Sequence, residues 1–193
     1  MAKLAVLVSG SGTILESIIE AGIKIDLVVS DRACRAIRVA MENDISAQIV
    51  LRDDFAETFN RDAYSQMLTH ILLQNNIDAV AMAGFGTILG KSIFESYRDR
   101  ILNTHPSLLP KYKGWHAVKD ALDAKEKVTG CTVHIATIGV DEGPIIAQER
   151  VEIYPDDTES SLHERIKKVE RVLYPQAIKL FLDKLDSERI LGE

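Results

Sequence analysis

An open α/β sheet, mainly parallel and twisted, with helices on both faces, is the fold class that this sequence predicts, and three features predict it. Short apolar runs without strict alternation recur along the chain, as strands covered on both faces require. Longer amphipathic stretches separate them in a βαβαβαβαβ order, which implies parallel pairing through right-handed crossovers. The length of 193 residues suits one domain with a substantial core, since chains of ~150 residues bury roughly 70% of the surface they expose when unfolded.

The first strand is expected at Leu4 to Val8, followed by a helix over 13–21 whose apolar face is Ile14, Leu15, Ile18 and Ile19. Ile25 to Val29, Ala47 to Leu51, Ala79 to Met82 and Ile101 to Leu102 supply four more strands, alternating with helices near 33–43, 55–76 and 91–98. After a helix near 116–124 the pattern changes. Val128 to Ala136 and Ile145 to Ile153 read as two additional C-terminal strands, and a long C-terminal helix starts near Thr158. On that helix Leu162, Ile166, Val169 and Leu173 form the buried face, with His163, Lys167, Glu170 and Tyr174 as a polar stripe beside it. Pro175 has no N–H for an intrahelical bond, so a kink or break is expected near Leu173 to Pro175. No repeat, low-complexity tract or Pro/Gly-rich linker divides the chain, and residues 1–193 are expected to form a single domain.

Composition narrows the function classes. Hydrophobic residues at 46% and charged residues at 27% exclude a disordered chain. A net charge of −6 argues against a nucleic-acid partner, so an anionic small substrate must be held by local groups. Cys34 and Cys131 make neither a disulfide framework nor a zinc pattern, and a reducing, cytoplasmic setting is the simplest reading. The N-terminus runs directly into an apolar strand without a charged leader, and no apolar stretch approaches bilayer length, so a soluble protein without a membrane partner is expected.

Open α/β sheets bind ligands beyond the carboxyl ends of their strands, and four loops there carry chemistry. Ser9-Gly10-Ser11-Gly12 leaves strand 1 and feeds a helix through Thr13; glycines permit close backbone approach, and helix N-terminal N–H groups favour an anion such as phosphate. The same residues would also serve as a plain tight turn. Ala83 to Gly90 is a second glycine-spaced exit, in which Phe85, Ile88 and Leu89 could wall an apolar pocket or pack as an ordinary connection. Asn103 and His105 stand two apart at the exit of strand 5, with Pro106 holding His105 extended. Asp141 lies between glycines in Ile138 to Ile145, as a turn aspartate could. Together an amide donor, an imidazole and an orienting carboxylate suit acyl transfer. Metal binding by His105, His116, His134, Cys131 and Asp141 competes, but their spacing matches no ligand motif and no metal is expected. A Ser-His-Asp hydrolase would need a GxSxG elbow, which is missing.

NTHPSLLPKYKG at Asn103 to Gly114, with SGSG before it and DEGPII at Asp141 to Ile146 after it, resembles the 10-formyltetrahydrofolate-dependent formyltransferases over nearly the whole chain. The resemblance implies a Rossmann-like formyltransferase fold, with Asn103, His105 and Asp141 as the catalytic set and 10-formyltetrahydrofolate as co-substrate without a metal. It implies that Gly10, Ser11, Gly12, Thr13 and Ile14 hold a substrate phosphate. Arg61, Phe85, Gly86, Thr87, Ile88 and Leu89, with Thr137, Ile138, Gly139 and Val140, would form the folate side. Glu170, and Lys167 one turn before it, would face the acceptor.

The same three residues serve members acting on a tRNA, or on water alone. A chain beginning at strand 1 and ending soon after the last helix, with a phosphate-type loop, fits a phosphoribosyl glycinamide acceptor in purine synthesis. A formyltransferase or formyltetrahydrofolate hydrolase with a different acceptor, and a non-catalytic folate- or phosphate-binding module, are the alternatives. Three departures stand out: Ile14 replaces a frequent Asn, Gly86-Thr87 replaces Met-Arg, and Lys113 replaces a proline. Asp141 is expected to raise the imidazole pKa of His105, and an exposed edge strand could support a homodimer.

Overall fold

β1 (Leu4–Val8) is buried along its whole length and lies at the centre of the sheet. The computed structural model describes residues 1–52, 54 and 58–191. Parallel to β1 on one side runs β2 (Leu27–Ser30), then β3 (Ala47–Ile49); on the other side lie β4 (Ala79–Met82) and β5 (Ile101–His105), also parallel. Two antiparallel strands, β6 (Val128–Ile135) and β7 (Ile145–Glu152), complete a seven-stranded sheet of order β3-β2-β1-β4-β5-β6-β7. The chain turns outward in opposite directions from β1 and β4, which puts the switch point between their carboxyl ends.

Alternation along β1 divides the core between the two faces. Leu4, Val6 and Val8 pack with α1 (Thr13–Glu20), α2 (Arg35–Glu42) and the long α6 (Glu159–Leu191). Ala5 and Leu7 pack on the opposite face with Tyr64, Leu68 and Leu72 of α3 (Arg61–Gln74) and Ile93 of α4 (Lys91–Ser96). A third cluster joins Val118 of α5 (Ala117–Asp123), Cys131, Val151, Leu162 and Ile166.

Several boundaries differ from the sequence pattern. β3 ends at Ile49, and Leu51 is 61% exposed, because this is an edge strand covered only in part rather than a strand buried on both faces. The helix expected from residue 55 starts at Arg61, where the Asn60 side chain accepts the Ala63 N–H at 2.9 Å; its expected first residues, 55–57, lie outside the described residues. β5 continues past Leu102 to His105, because β6 pairs with it antiparallel.

Pro175 does not break α6, which runs unbroken through 33 residues. An interior proline costs about 3 kcal/mol, and packing offsets that cost here. Pro175 is buried between Tyr174, Ala177 and Ile178, all within the core. Tyr174 is accordingly no part of a polar stripe, as its hydroxyl donates to the Leu102 carbonyl oxygen at 3.0 Å. Val169 and Leu173, expected on the buried face, are only partly covered. Tyr174→Phe removes this one donor between α6 and β5, and denaturant unfolding should register a loss of about 0.5–1.5 kcal/mol.

Candidate active site

β5 delivers Asn103 and His105 on the same face of the sheet, because residues two apart in a strand share a side. The antiparallel register sets Asn103 opposite His134 and His105 opposite Thr132. Asn103 Nδ2 lies 3.2 Å from His134 Nε2, and His134 Nδ1 lies 3.0 Å from the Ile135 carbonyl oxygen. That carbonyl can only accept, so His134 Nδ1 carries a proton, while Nε2 faces both the Asn103 amide and the Asp141 carboxylate.

His105 is 5% exposed, with Nδ1 3.2 Å from Asp141 Oδ2 and Nε2 2.7 Å from the Tyr112 carbonyl oxygen. Asp141 also accepts the Gly114 N–H at 2.9 Å, and its Oδ1 lies 3.4 Å from His134 Nε2. Burial raises the Asp141 pKa, but His134, the Gly114 N–H and His105 outweigh it and hold the carboxyl below the usual range. Asp141 favours the charged imidazole of His105 as expected, but the net shift is downward. Burial pushes the imidazole pKa down, and it prevails over the Tyr112 carbonyl and the Asp141 carboxylate, which both favour the charged form. His105 is therefore mainly neutral near pH 7, beside a carboxylate ready to stabilise a proton on it.

The β1 exit meets the switch point directly. Gly12, at φ +78°, is the N-cap of α1, and a Cβ there would come within 2.9 Å of Ala36 Cα. Gly10 and Ser11 are exposed, with the Ser11 carbonyl accepting from Arg35 Nη1 at 2.6 Å. Thr13 is half-buried, whereas the Ile14 side chain is buried in the core, so Ile14 can offer a ligand only its backbone.

In the β4 exit the expected apolar wall is largely turned inward. Phe85 and Leu89 belong to the core around Tyr64 and Leu68. Thr87 is buried and donates to Asp31 Oδ2 at 2.8 Å. Gly86 donates its N–H to Ser9 Oγ at 2.6 Å, and it and Ile88 are partly exposed. Arg61 is exposed at the start of α3, and a Cβ at Gly90 would lie 2.9 Å from its carbonyl oxygen, which places Arg61 beside the end of this loop. Thr137 and Gly139 are half-buried, while Ile138 and Val140 are exposed.

Glu170 occupies the other face of the sheet. Burial raises its pKa to about 7, against the opposing effect of the Thr104 hydroxyl, Lys167 and Arg171. Thr104 points away from its neighbours Asn103 and His105, so Glu170 and the His105–Asp141 pair flank β5 from opposite sides. Lys167 pairs with Glu164 at 2.7 Å. A cavity of about 840 Å³ among Met1, Lys3, Asp78, Asp186 and Arg189 lies far from these groups, at the amino ends of β1 and β4, and gathers no comparable set.

His134 is a neighbour of the candidate site that sequence reasoning left out, having named it only in the metal set that it set aside. The available signal was one histidine in a strand otherwise fit for the core, at the parity of Thr132. Among the described residues no group of three or more His, Cys, Asp or Glu is placed to hold a metal ion.

An amide, a buried imidazole and a carboxylate meet at the ligand end of an open α/β sheet, a set of groups suited to acyl-type group transfer. The chain belongs to the formyl transferase family, whose model matches residues 2–178. It is 41% identical over 182 residues to a phosphoribosylglycinamide formyltransferase of Mycobacterium tuberculosis H37Rv, covering 92% of this chain and 83% of that one. It is 40% identical over 190 residues to a trifunctional purine biosynthetic protein of Drosophila melanogaster, matching 94% of this chain but spanning 14% of the fly protein. A glycinamide ribonucleotide transformylase 1 structure from Symbiobacterium toebii superposes with a TM-score of 0.88 at 37% identity, covering 95% of this chain and 89% of that one. The phosphoribosylglycinamide formyltransferase of Bacillus halodurans gives 0.87 at 34%, covering 95% and 96%.

The Glu170 carboxyl gives a pH signature. Its folded pKa, about 7, exceeds its ordinary value of 4.5, so the folded chain holds the proton more tightly, and this contribution to stability is lost as pH rises from about 4.5 through about 7. The unfolding free energy of the parent minus that of Glu170→Gln should therefore fall as pH rises across that window, whereas the lowered imidazole pKa values of His105 and His163 act in the opposite sense in both proteins.

Proposed function

We propose that the protein transfers the formyl group of 10-formyltetrahydrofolate to the amine of phosphoribosylglycinamide, a step of purine synthesis. The observation that carries this is the contact between Asp141 and the buried His105, with the Asn103 amide on the same face, in a chain of the formyl transferase family. The phosphate of the acceptor would sit on the N–H groups of Gly10 to Ile14, where the start of α1 favours an anion. Glu170 would receive the glycinamide end, and Lys167 would add positive charge near it. The donor would lie along Arg61, Gly86, Ile88 and the segment from Thr137 to Val140, with backbone groups of residues 85–89 reading the pterin.

In the reaction the neutral amine nitrogen bonds to the formyl carbon, the bond from that carbon to N10 of the folate breaks, and one proton passes from the amine to N10. Negative charge develops on the formyl oxygen. Asn103 Nδ2–H and His105 Nε2–H are the donors for it, the oxygen taking the place that the Tyr112 carbonyl holds on Nε2. A preorganised donor of this kind contributes about 3–4 kcal/mol. His105, neutral at rest, can carry the travelling proton on Nδ1, where the Asp141 carboxylate stabilises the imidazolium. His134 holds the Asn103 amide in orientation. No covalent intermediate with the protein is needed. A cytoplasmic protein without nucleic-acid or membrane partners fits this reading, and among the described residues no helix is long and apolar enough to cross a membrane. β7, an edge strand, could pair with a second copy in a homodimer.

The test is a formyl-transfer assay with this acceptor, with water as the only acceptor in the control. Equal folate turnover in the control would overturn the transferase reading. Asn103→Leu should lower kcat about 100- to 1000-fold, and undiminished activity in His105→Ala would remove the imidazole from the mechanism. The pH dependence of kcat should show an acid limb with its midpoint below 6.5, since burial depresses the imidazole pKa. Asp141→Asn should move that limb to still lower pH while reducing the maximum, because it removes a partner of the protonated ring.

A further inference from the structure

We infer that Asp31 is a positioning residue, whose buried carboxylate ties the loop after β4 to the loop after β1 and so fixes the spacing between the formyl donor and its acceptor. The inference rests on the placement of donor and acceptor proposed above and adds a residue that touches neither.

Asp31 follows β2 directly, and it is fully buried although the proposed mechanism gives it no part. A carboxylate in such a place is costly without partners, and the exits of three strands supply them. Arg32, in the β2 exit, donates from Nε to Oδ1 at 2.9 Å and from Nη2 to Oδ2 at 3.1 Å. The Thr87 hydroxyl, in the β4 exit, donates to Oδ2 at 2.8 Å. The Ser9 hydroxyl, in the β1 exit, is the third partner, and its oxygen in turn accepts the Gly86 N–H at 2.6 Å. Two consecutive residues of the β4 exit are thus held, Gly86 by its backbone and Thr87 by its side chain.

The same two residues are where this exit departs from Met-Arg. A Cβ on Gly86 would lie 3.4 Å from Arg32 Nη2 and 3.4 Å from Ser9 Oγ, so a longer side chain there would have to displace one of them. The three exits also frame the switch point, where an open α/β sheet takes its ligands. Gly10, next to Ser9, begins the segment proposed for the acceptor phosphate, and Gly86 begins the exposed donor contacts of the β4 exit. A shift between these segments would leave each ligand on its own loop and spoil the approach of the amine to the formyl carbon. Misplacement by about 1 Å, even from a change far from the chemistry, costs about 100-fold in rate. A carboxylate that served the fold alone would alter unfolding and leave transfer in the fully bound protein unchanged.

The test separates binding from transfer in the intact protein, at a temperature where circular dichroism shows each variant folded. Calorimetry gives Kd for tetrahydrofolate alone and for phosphoribosylglycinamide alone, and the first turnover is followed with both sites saturated. Ser9→Ala, Thr87→Val and Asp31→Asn should each slow this saturated transfer about 10- to 100-fold. Both Kd values should stay near those of the parent in Ser9→Ala and Asp31→Asn, and Thr87→Ser, which keeps the hydroxyl, should retain most of the rate. Ser9→Ala combined with Thr87→Val should lose less than the product of the separate losses, since both act through Asp31. Amide hydrogen exchange at Gly86 should quicken in Ser9→Ala and Asp31→Asn. Parental saturated transfer in Ser9→Ala and Thr87→Val, a loss confined to the Kd values, or unchanged exchange at Gly86 overturns the inference; should Asp31→Asn not fold, the other two variants carry the test. Quickened exchange in a protein that transfers no formyl group would uphold the tie between the loops and defeat the proposed reaction. Formyl transfer with unchanged exchange would do the reverse.

Discussion

The register of β6 against β5 is the constraint on which the site depends. It sets His134 against Asn103 and Thr132 against His105, and puts all four on the face away from α6. Thr132 also accepts the Leu109 N–H and donates to the Ser107 carbonyl, tying down the chain that leaves His105. A slip of one residue would turn every one of these side chains to the other face. The parallel half of the sheet supplies burial and a switch point, whereas the antiparallel pair supplies the side-chain alignment.

Most of the architecture was legible because strands covered on both faces leave apolar runs, and such runs identify themselves. Edges and ends were less so. β3 was read too long because the pattern ALA-to-LEU of residues 47–51 does not reveal that the strand lies at a sheet margin, where Leu51 meets solvent. β5 was read too short because Asn103 and His105 look unlike strand residues, and only a partner strand holds them extended. Pro175 was read as a stop because local propensity was weighed without Tyr174, whose long-range bond to β5 holds the helix in place.

In the candidate site, the residues with polar chemistry were identifiable from type and position, and Asp141 does meet His105. The sense of the His105 pKa shift was not, since it depends on how completely the imidazole is buried rather than on its neighbour in sequence. Thr87 illustrates a second limit. Its hydroxyl, with Ser9 and the Arg32 guanidinium, offsets the effect of burial on the Asp31 carboxyl, so that Asp31 stays acidic inside the protein. Where this residue departs from the family pattern it has joined the interior network at the β2 exit, and a change there would act on Asp31 first.

The loop around Asp141 has little freedom to vary. Asp141 itself adopts φ +54°, and a Cβ at Gly143 would collide with the Ile135 carbonyl. Inheritance can alter such a segment only by several coordinated changes. The arm at 112–116 carries an exposed indole and a lysine in place of proline, and few packing demands act on those two side chains. The side chains at 113 and 115 can therefore change at less cost to the fold than the residues of the Asp141 loop.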